Sequence, residues 1–259
     1  MTNRRLIAVD IGNSATKVGW FDFPSKKAAG SLPQPVATKK FKTGDEPAGD
    51  FGQSLPLGSC AWHIVSVHRD GTRILTNWIT ANRPNDVVCL LGHKDLPIEV
   101  RVEFPERVGL DRLAAAIAAN VIRAADRPAV VIGAGSAITV NLIGANGAFE
   151  GGVILPGFRM SAEALYGADL LPLAILSPND QPPPLLGKNT DDAIRSGLFW
   201  GAVGAVREIV TRMSEPLEQE PEIFVTGGDL RQFTQYLGDD ATFVPDMVLS
   251  GIAVAASRG

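Results

Sequence analysis

The stretch LIAVDIGNSATKVGW, Leu6 to Trp20, sets the reading of the whole chain. Four apolar residues run into an acid, Asp10, and a glycine follows two residues later. Asn13 and Ser14 come next, and alternation resumes from Ala15. The pattern predicts a buried β-strand, a tight turn and a second strand. Gly12 lets the backbone approach a phosphate, and Asn13 and Ser14 add donors. Asp10 suits Mg2+, held through water because that ion keeps much of its hydration shell. Lys17 on the outgoing strand reaches either a phosphate or a surface acid. Taken alone, the segment also fits an ordinary β-hairpin with an Asx-type turn.

The same pattern returns later. A shift of 123 residues lays Leu6–Trp20 over AVVIGAGSAITVNLI, Ala129 to Ile143, with Gly12 on Gly135 and Thr16 on Thr139. Asp10 then faces Gly133. Each half of the chain is therefore expected to hold one such hairpin. Between and after them, strands alternate with helices. Ile64–Val67 and Val87–Leu91 read as core strands, and Thr72–Ala81 is compatible with a helix. Lys26–Pro56 is polar and rich in Pro, Gly and Asp, so loops and edge strands are expected there. Gly109 opens a helix whose apolar stripe is Leu110, Leu113, Ile117 and Val121. Asn189 or Thr190 caps a longer one, with Asp191 and Asp192 in its first turn and Arg212 in its last. SPNDQPPPLLGK before it is irregular. EIFVTGGDL reads as strand, glycine turn and helix start, and Met247–Ala256 closes the chain as an apolar helix. This order gives an α/β fold in two lobes, expected over residues 1–108 and 109–259.

Composition narrows the class. The chain has 259 residues, 45% hydrophobic, enough for a large core without a disulfide or metal staple. A net charge of −4 with scattered Lys and Arg argues against nucleic acid as a partner. Cys60 and Cys89 lie in no ligand spacing, which suggests a reduced cytoplasmic protein. His63, His68 and His93 are isolated, and His63 and His68 are expected on opposite faces of one strand. MTNRRLIAVD has too short an apolar run for a signal peptide. Pro128–Phe149 is uncharged and long enough to span a bilayer, but its two β-branched groups around a glycine turn read as paired strands, so no membrane role is expected.

Two further segments carry chemistry. In Gly109-Leu110-Asp111-Arg112 the acid falls in the first turn of a helix, where the dipole stabilises a carboxylate able to accept a proton. Arg112 offers a planar fork for a carboxylate or phosphate. A capping acid beside a surface arginine would look the same. Thr226-Gly227-Gly228 can open a helix whose N–H groups meet a nucleotide, although glycine pairs are common helix starts.

Six short motifs occur in the order of the type III pantothenate kinases, a branch of the sugar-kinase, heat-shock-protein and actin superfamily. They are Asp10-Ile11-Gly12-Asn13-Ser14-Ala15-Thr16-Lys17, Gly109-Leu110-Asp111-Arg112, Gly133 to Asn141, Gly151-Gly152-Val153-Ile154-Leu155-Pro156-Gly157, Asn189 to Gly197, and Thr226-Gly227-Gly228. The chain resembles that family along nearly its whole length. The resemblance implies two RNase H-like lobes, with mixed sheets flanked by helices and an ATP cleft between them. It implies ATP-dependent phosphorylation of pantothenate to 4′-phosphopantothenate, the first step of coenzyme A biosynthesis. Asp111 would be the general base, and Gly109, Arg112 and Thr190 would bind substrate, Thr190 from the partner subunit of a homodimer. Asp10, Gly12, Asn13, Ser14, Lys17, Gly135, Ser136, Gly227 and Gly228 would bind ATP, with Asp10 serving Mg2+. Gly197, Gly201 and Ala205 share one helix face, open to close approach by another helix of the same or a second subunit.

The chain departs from the family at one hairpin. The acid that binds K+ or NH4+ is Gly133 here, the acid that ends the motif is Asn141, and its threonine is Ser136. The monovalent-cation site is therefore expected to be weakened or absent. Two readings stay open: a kinase that works without that cation, and a non-catalytic relative that binds nucleotide or pantothenate as an accessory or regulatory protein.

Overall fold

The computed structural model describes residues 5–22, 31–168, 171–176, 181–228 and 232–257. The chain divides into two compact units, Met1–Ile122 with Asp246–Gly259, and Arg123–Pro245. The first unit runs β1 (Arg5–Ile11), β2 (Ala15–Phe21), β3 (Ala37–Lys42), a short α1 (Phe51–Ser54), β4 (Cys60–Ser66), α2 (Arg69–Asn82), β5 (Val87–Leu90) and α3 (Leu110–Ile122). The second holds β6 (Ala129–Ala134), β7 (Ala137–Ile143), β8 (Phe149–Pro156), α4 (Phe158–Tyr166), α5 (Thr190–Ser214), β9 (Glu222–Thr226) and β10 (Thr242–Phe243). The chain then returns to the first unit as α6 (Met247–Ala256).

The sheet orders are β3-β2-β1-β4-β5 and β8-β7-β6-β9-β10, one topology used twice. In each, the first hairpin is antiparallel and the fourth and fifth strands add in parallel. β1 is apolar from Leu6 to Val9 because both of its faces are covered there. Ile7, Val9 and Ile11 pack with Trp62, Leu75 and Ile79 on the α2 side. Leu6 and Ala8, of opposite parity, pack with Ala114 of α3 and with Leu249, Ile252 and Ala253 of α6. In the second unit Val130, Ile132, Ile138 and Val140 meet Phe158 of α4 and Phe199, Val203 and Val206 of α5.

Several expectations change in three dimensions. The compact units differ from the expected 1–108 and 109–259, since α3 and α6 pack on the first sheet. α3 buries Leu113 through Ala119 rather than a narrow stripe, with Leu110 and Val121 only half-buried. A Cβ at Gly251 would collide with the Ala114 backbone, so α6 lies too close for larger residues on either side. β5 is an edge strand with Val87 and Leu90 exposed, not a core strand. His68 lies beyond β4 and caps α2, accepting from the Gly71 N–H at 3.0 Å. The helix start expected after Gly228 falls on residues 229–231, outside those described; Thr234–Tyr236 beyond them forms a 3-10 turn. The uncharged run is the β6–β7 hairpin, and no described helix is long and apolar enough to cross a membrane.

Candidate active site

In the first unit the site grows from strand parity. Leu6 and Ala8 face α3 and α6, so Asp10, two residues on, points to the same side at the end of β1. It stands directly across the ladder from Lys17. Asp111 lies in the first turn of α3, which packs on that face. Burial first, and then the nearby Asp111, push the Asp10 carboxyl up from 3.8 to about 7, against the opposing pull of Lys17. Among the described residues no ion pair holds Asp10. The Lys17 ammonium pairs instead with Asp246, the residue before α6. A half-buried, unpaired carboxylate beside a second one is an environment that a divalent cation relieves, so this donor set fits Mg2+. Among the described residues no three His, Cys, Asp or Glu side chains cage a metal.

The turn is held firmly. Gly12 donates its N–H to the Ala15 carbonyl (3.1 Å), and Thr43 donates to the Ser14 carbonyl (3.2 Å). Buried Thr16 and Thr43 share a hydroxyl hydrogen bond of 3.0 Å. Asn13 and Ser14 are exposed at the tip. At the start of α3, the Arg112 and Leu113 N–H groups reach back to the Gly109 carbonyl at 3.1 and 3.2 Å. Any side chain at Gly109 would run into the Asp111 carboxylate, so this glycine leaves the acid room to fold back over the helix start. His93 Nε2 donates to the Val108 carbonyl at 2.8 Å and steadies the approach to Gly109. Burial pushes the Arg112 guanidinium down from its ordinary value, an effect that Asp111 opposes.

A second set of residues gathers in the other unit. β6 and β9 end together, with Gly133 paired to Thr226. Gly227 has φ of +118°, and a side chain there would strike Ala134, so the turn after β9 lies flat on the second hairpin. Gly157 donates to the Ser136 carbonyl at 3.2 Å and begins α4. Three glycine turns thus converge at one end of the sheet, beside a helix N-terminus whose N–H groups suit an anion. The Gly135 N–H closes its own turn onto Ala137 (3.0 Å), so the donation to phosphate expected from it is already committed. Gly135 and Gly228 are exposed and Ser136 is half-buried. Asn141 is buried and donates to the Val131 carbonyl (3.4 Å) and to Thr139 Oγ1 (3.3 Å). A side chain at Gly133 would begin 3.0 Å from that same Thr139 oxygen.

Thr190 is exposed on the first turn of α5, capped by Asn189, which accepts from the Asp192 N–H at 2.9 Å. The described part of the proline-rich connection, 181–188, is tied to this helix, with Ser196 and Trp200 donating to the carbonyls of Leu185 and Pro183 at 2.7 and 3.0 Å. Gly197 and Gly201 are exposed with open space around them, and Ala205 is half-buried. Sequence reasoning passed over Asp246 and the start of α4, and it left His93 as an isolated side chain. Only Gly157 stood inside a quoted motif; nothing local marks the other two.

Comparisons with known proteins identify the family of the chain. The family model for type III pantothenate kinase matches residues 6–212. A type III pantothenate kinase of Rubrobacter xylanophilus is 31% identical, covering 96% of each chain. One from Caulobacter vibrioides is 35% identical, covering 95% of each. Among solved structures, a Campylobacter jejuni protein described as a conserved Baf family transcriptional activator matches with a TM-score of 0.61 at 18% identity, over 97% of this chain and 98% of that one. A Sinorhizobium meliloti protein described as a 2-dehydro-3-deoxygalactonokinase matches with a TM-score of 0.58 at 14% identity, over 98% and 96%. The last two support the fold alone, whereas the family model and the full-length relatives carry further: this chain, with its acid-bearing first hairpin and its uncharged second, belongs to the type III pantothenate kinase family.

Proposed function

We propose that the chain transfers the terminal phosphoryl group of ATP to the 4′-hydroxyl of pantothenate, with Asp111 as the general base. The observation that carries this reading is the neighbouring pair of carboxylates, Asp10 and Asp111, at the ends of β1 and of the Gly109 turn. Two acids on one face of the sheet that feel each other's charge divide their work: one serves the cation, and the other takes the proton of the substrate hydroxyl. Asp111 suits the second task because Gly109 and Arg112 flank it, and Arg112 supplies a fork for the pantothenate carboxylate.

ATP with Mg2+ would supply the phosphoryl group and neutralise its charge; Asp10 would hold the ion through water, Asn13, Ser14, Lys17 and Ser136 would offer donors to the phosphates, and Gly12, Gly135, Gly227 and Gly228 would leave room for the nucleotide to approach the backbone. The rest of catalysis is orientation, because phosphoryl transfer asks for positioning more than for covalent chemistry. The protein works as a cytoplasmic homodimer in which Thr190 of the partner subunit reaches the substrate. Open space beside Gly197 and Gly201 on α5 supports close approach of a second helix there. Gly133 offers no side-chain oxygen, so the reaction runs equally in Na+, K+ and NH4+.

One assay decides: ATP-dependent phosphorylation of pantothenate, with salts exchanged at constant ionic strength. Asp111→Asn is expected to lower kcat about a thousandfold while pantothenate still binds. Turnover near that of the unaltered protein removes Asp111 from its role. The uncharged second hairpin favours one other reading, a nucleotide-binding accessory protein. Nucleotide binding without turnover at millimolar ATP in any salt would establish that alternative.

A further inference from the structure

Lys17 has two acids within its reach, and it is attached to only one of them. Asp10 is its cross-strand partner, on the same face of the β1–β2 ladder. Opposite charges at such positions ordinarily meet. Here the ammonium contacts Asp246 instead. Asp246 lies far away in sequence and arrives where the chain re-enters the first unit. Its backbone is left-handed, with φ of 53° and ψ of 23°, a conformation that an acid tolerates but few other side chains do. The Asp246 carbonyl accepts the Ser250 N–H at 2.9 Å, so α6 fixes this residue. Its side chain is 20% exposed and that of Lys17 is 36% exposed, so the pair is only partly open to solvent. The carboxylate does not cap the helix that it precedes. Its one described partner is the lysine.

We propose that Asp246 is a positioning residue that holds the Lys17 ammonium off the Asp10 carboxylate, leaving Asp10 open to the metal. This rests on the reading above, in which Asp10 serves the cation bound with ATP. The physical argument is a competition. A lysine released from Asp246 still faces the carboxylate directly across the ladder, Asp10, and an ammonium there opposes a divalent cation at the same oxygens. Asp246 thus spends its charge on keeping the ammonium away from Asp10.

The test is a double-mutant cycle read by binding rather than by turnover. Mn2+ serves as the probe, its free signal followed by electron paramagnetic resonance with a non-hydrolysable ATP analogue at saturation. Asp246→Asn and Asp246→Gly both suit a left-handed backbone, and melting curves check that each variant is folded. Both are expected to weaken Mn2+ binding about tenfold, the scale for an ammonium arriving near a carboxylate in a partly screened site. In a Lys17→Met background the same changes at Asp246 should have no effect. An equal loss in both backgrounds, or no loss with Lys17 intact, overturns the proposal. Unaltered Mn2+ binding in Asp10→Asn, with Asp246 and Lys17 in place, overturns the reading of Asp10 beneath it, and is told apart because Asp246 is untouched.

Discussion

The β1–β2 and β6–β7 hairpins make one piece of architecture with two different charge states. Their first strands bury matching positions, Leu6 to Val9 and Ile11 against Ala129 to Ile132 and Ala134, and leave Asp10 and Gly133 half exposed. Their second strands match too, but from Ala15 against Ala137. The second turn is therefore one residue tighter. Gly12 reaches three residues to Ala15, while Gly135 reaches only two, to Ala137. The cross-strand pair is Asp10 with Lys17 in one unit and Gly133 with Thr139 in the other. One scaffold thus presents a charged, unsettled end and a neutral, satisfied one. The fold needs the hydrophobic alternation in both; it does not need the charges of the first, which the second lacks.

Four changes would break or sharpen that contrast. The largest effect is expected from Asn141→Asp. Asn141 is 1% exposed, and its amide donates to Val131 and Thr139. An unpaired carboxylate there should cost about 3 kcal/mol in urea unfolding at neutral pH. A cost near zero would mean that the second hairpin tolerates charge as the first does.

Next comes pH. The Asp10 carboxyl rises from 3.8 to about 7 on folding, through burial and Asp111 with Lys17 opposing, so between those values the folded chain holds a proton that the unfolded chain has lost. Stability from this group is full below pH 4 and falls as pH climbs towards 7. In metal-free buffer, Asp10→Asn should therefore raise the melting temperature at pH 8 and leave it nearly unchanged at pH 4. An equal effect at both pH values would remove the burial argument.

Gly133→Asp would give the second hairpin the acid of the first. The Thr139 hydroxyl 3.0 Å away can rotate aside, so the cost should be desolvation, about 1–2 kcal/mol in Na+. K+ should recover that stability and make turnover cation-dependent. Steep K+ activation of the unaltered protein would show instead that other oxygens build the site.

The smallest contrast lies at the turns. A methyl at Gly135 meets nothing within 4 Å, whereas one at Gly12 lies 3.2 Å from the Ala15 carbonyl. Gly135→Ala should change stability by less than about 0.5 kcal/mol and Gly12→Ala by more, in the same unfolding assay.

Much of this was legible in the residues. The Leu6–Trp20 alternation, the echo at Ala129–Ile143, the Asn189 cap and the bounds of α6 are local patterns, and local patterns survive into structure. The six motifs placed Asp10 and Asp111 as the acids of interest. The ungapped echo, however, set Thr16 on Thr139, while the strand registers set Lys17 there, because a turn one residue shorter shifts everything after it. The availability of the Gly12 and Gly135 N–H groups was likewise hidden, since a turn's internal hydrogen bonds depend on its closure.

By itself, then, the sequence determined the repeated hairpin, the alternation that buries it, the family and the uncharged Gly133 that answers Asp10 in the repeat. Tertiary structure decided which unit owns α3 and α6, which strand is an edge, and where the charge of Lys17 goes. The physical reason is range. Alternation and capping act over a few residues, and a reader of the chain sees both partners at once. The contact between Lys17 and Asp246 joins residues near opposite ends of the chain. Nothing in VPDMVLSG announces it until α6 packs against β1 and brings the two charges together.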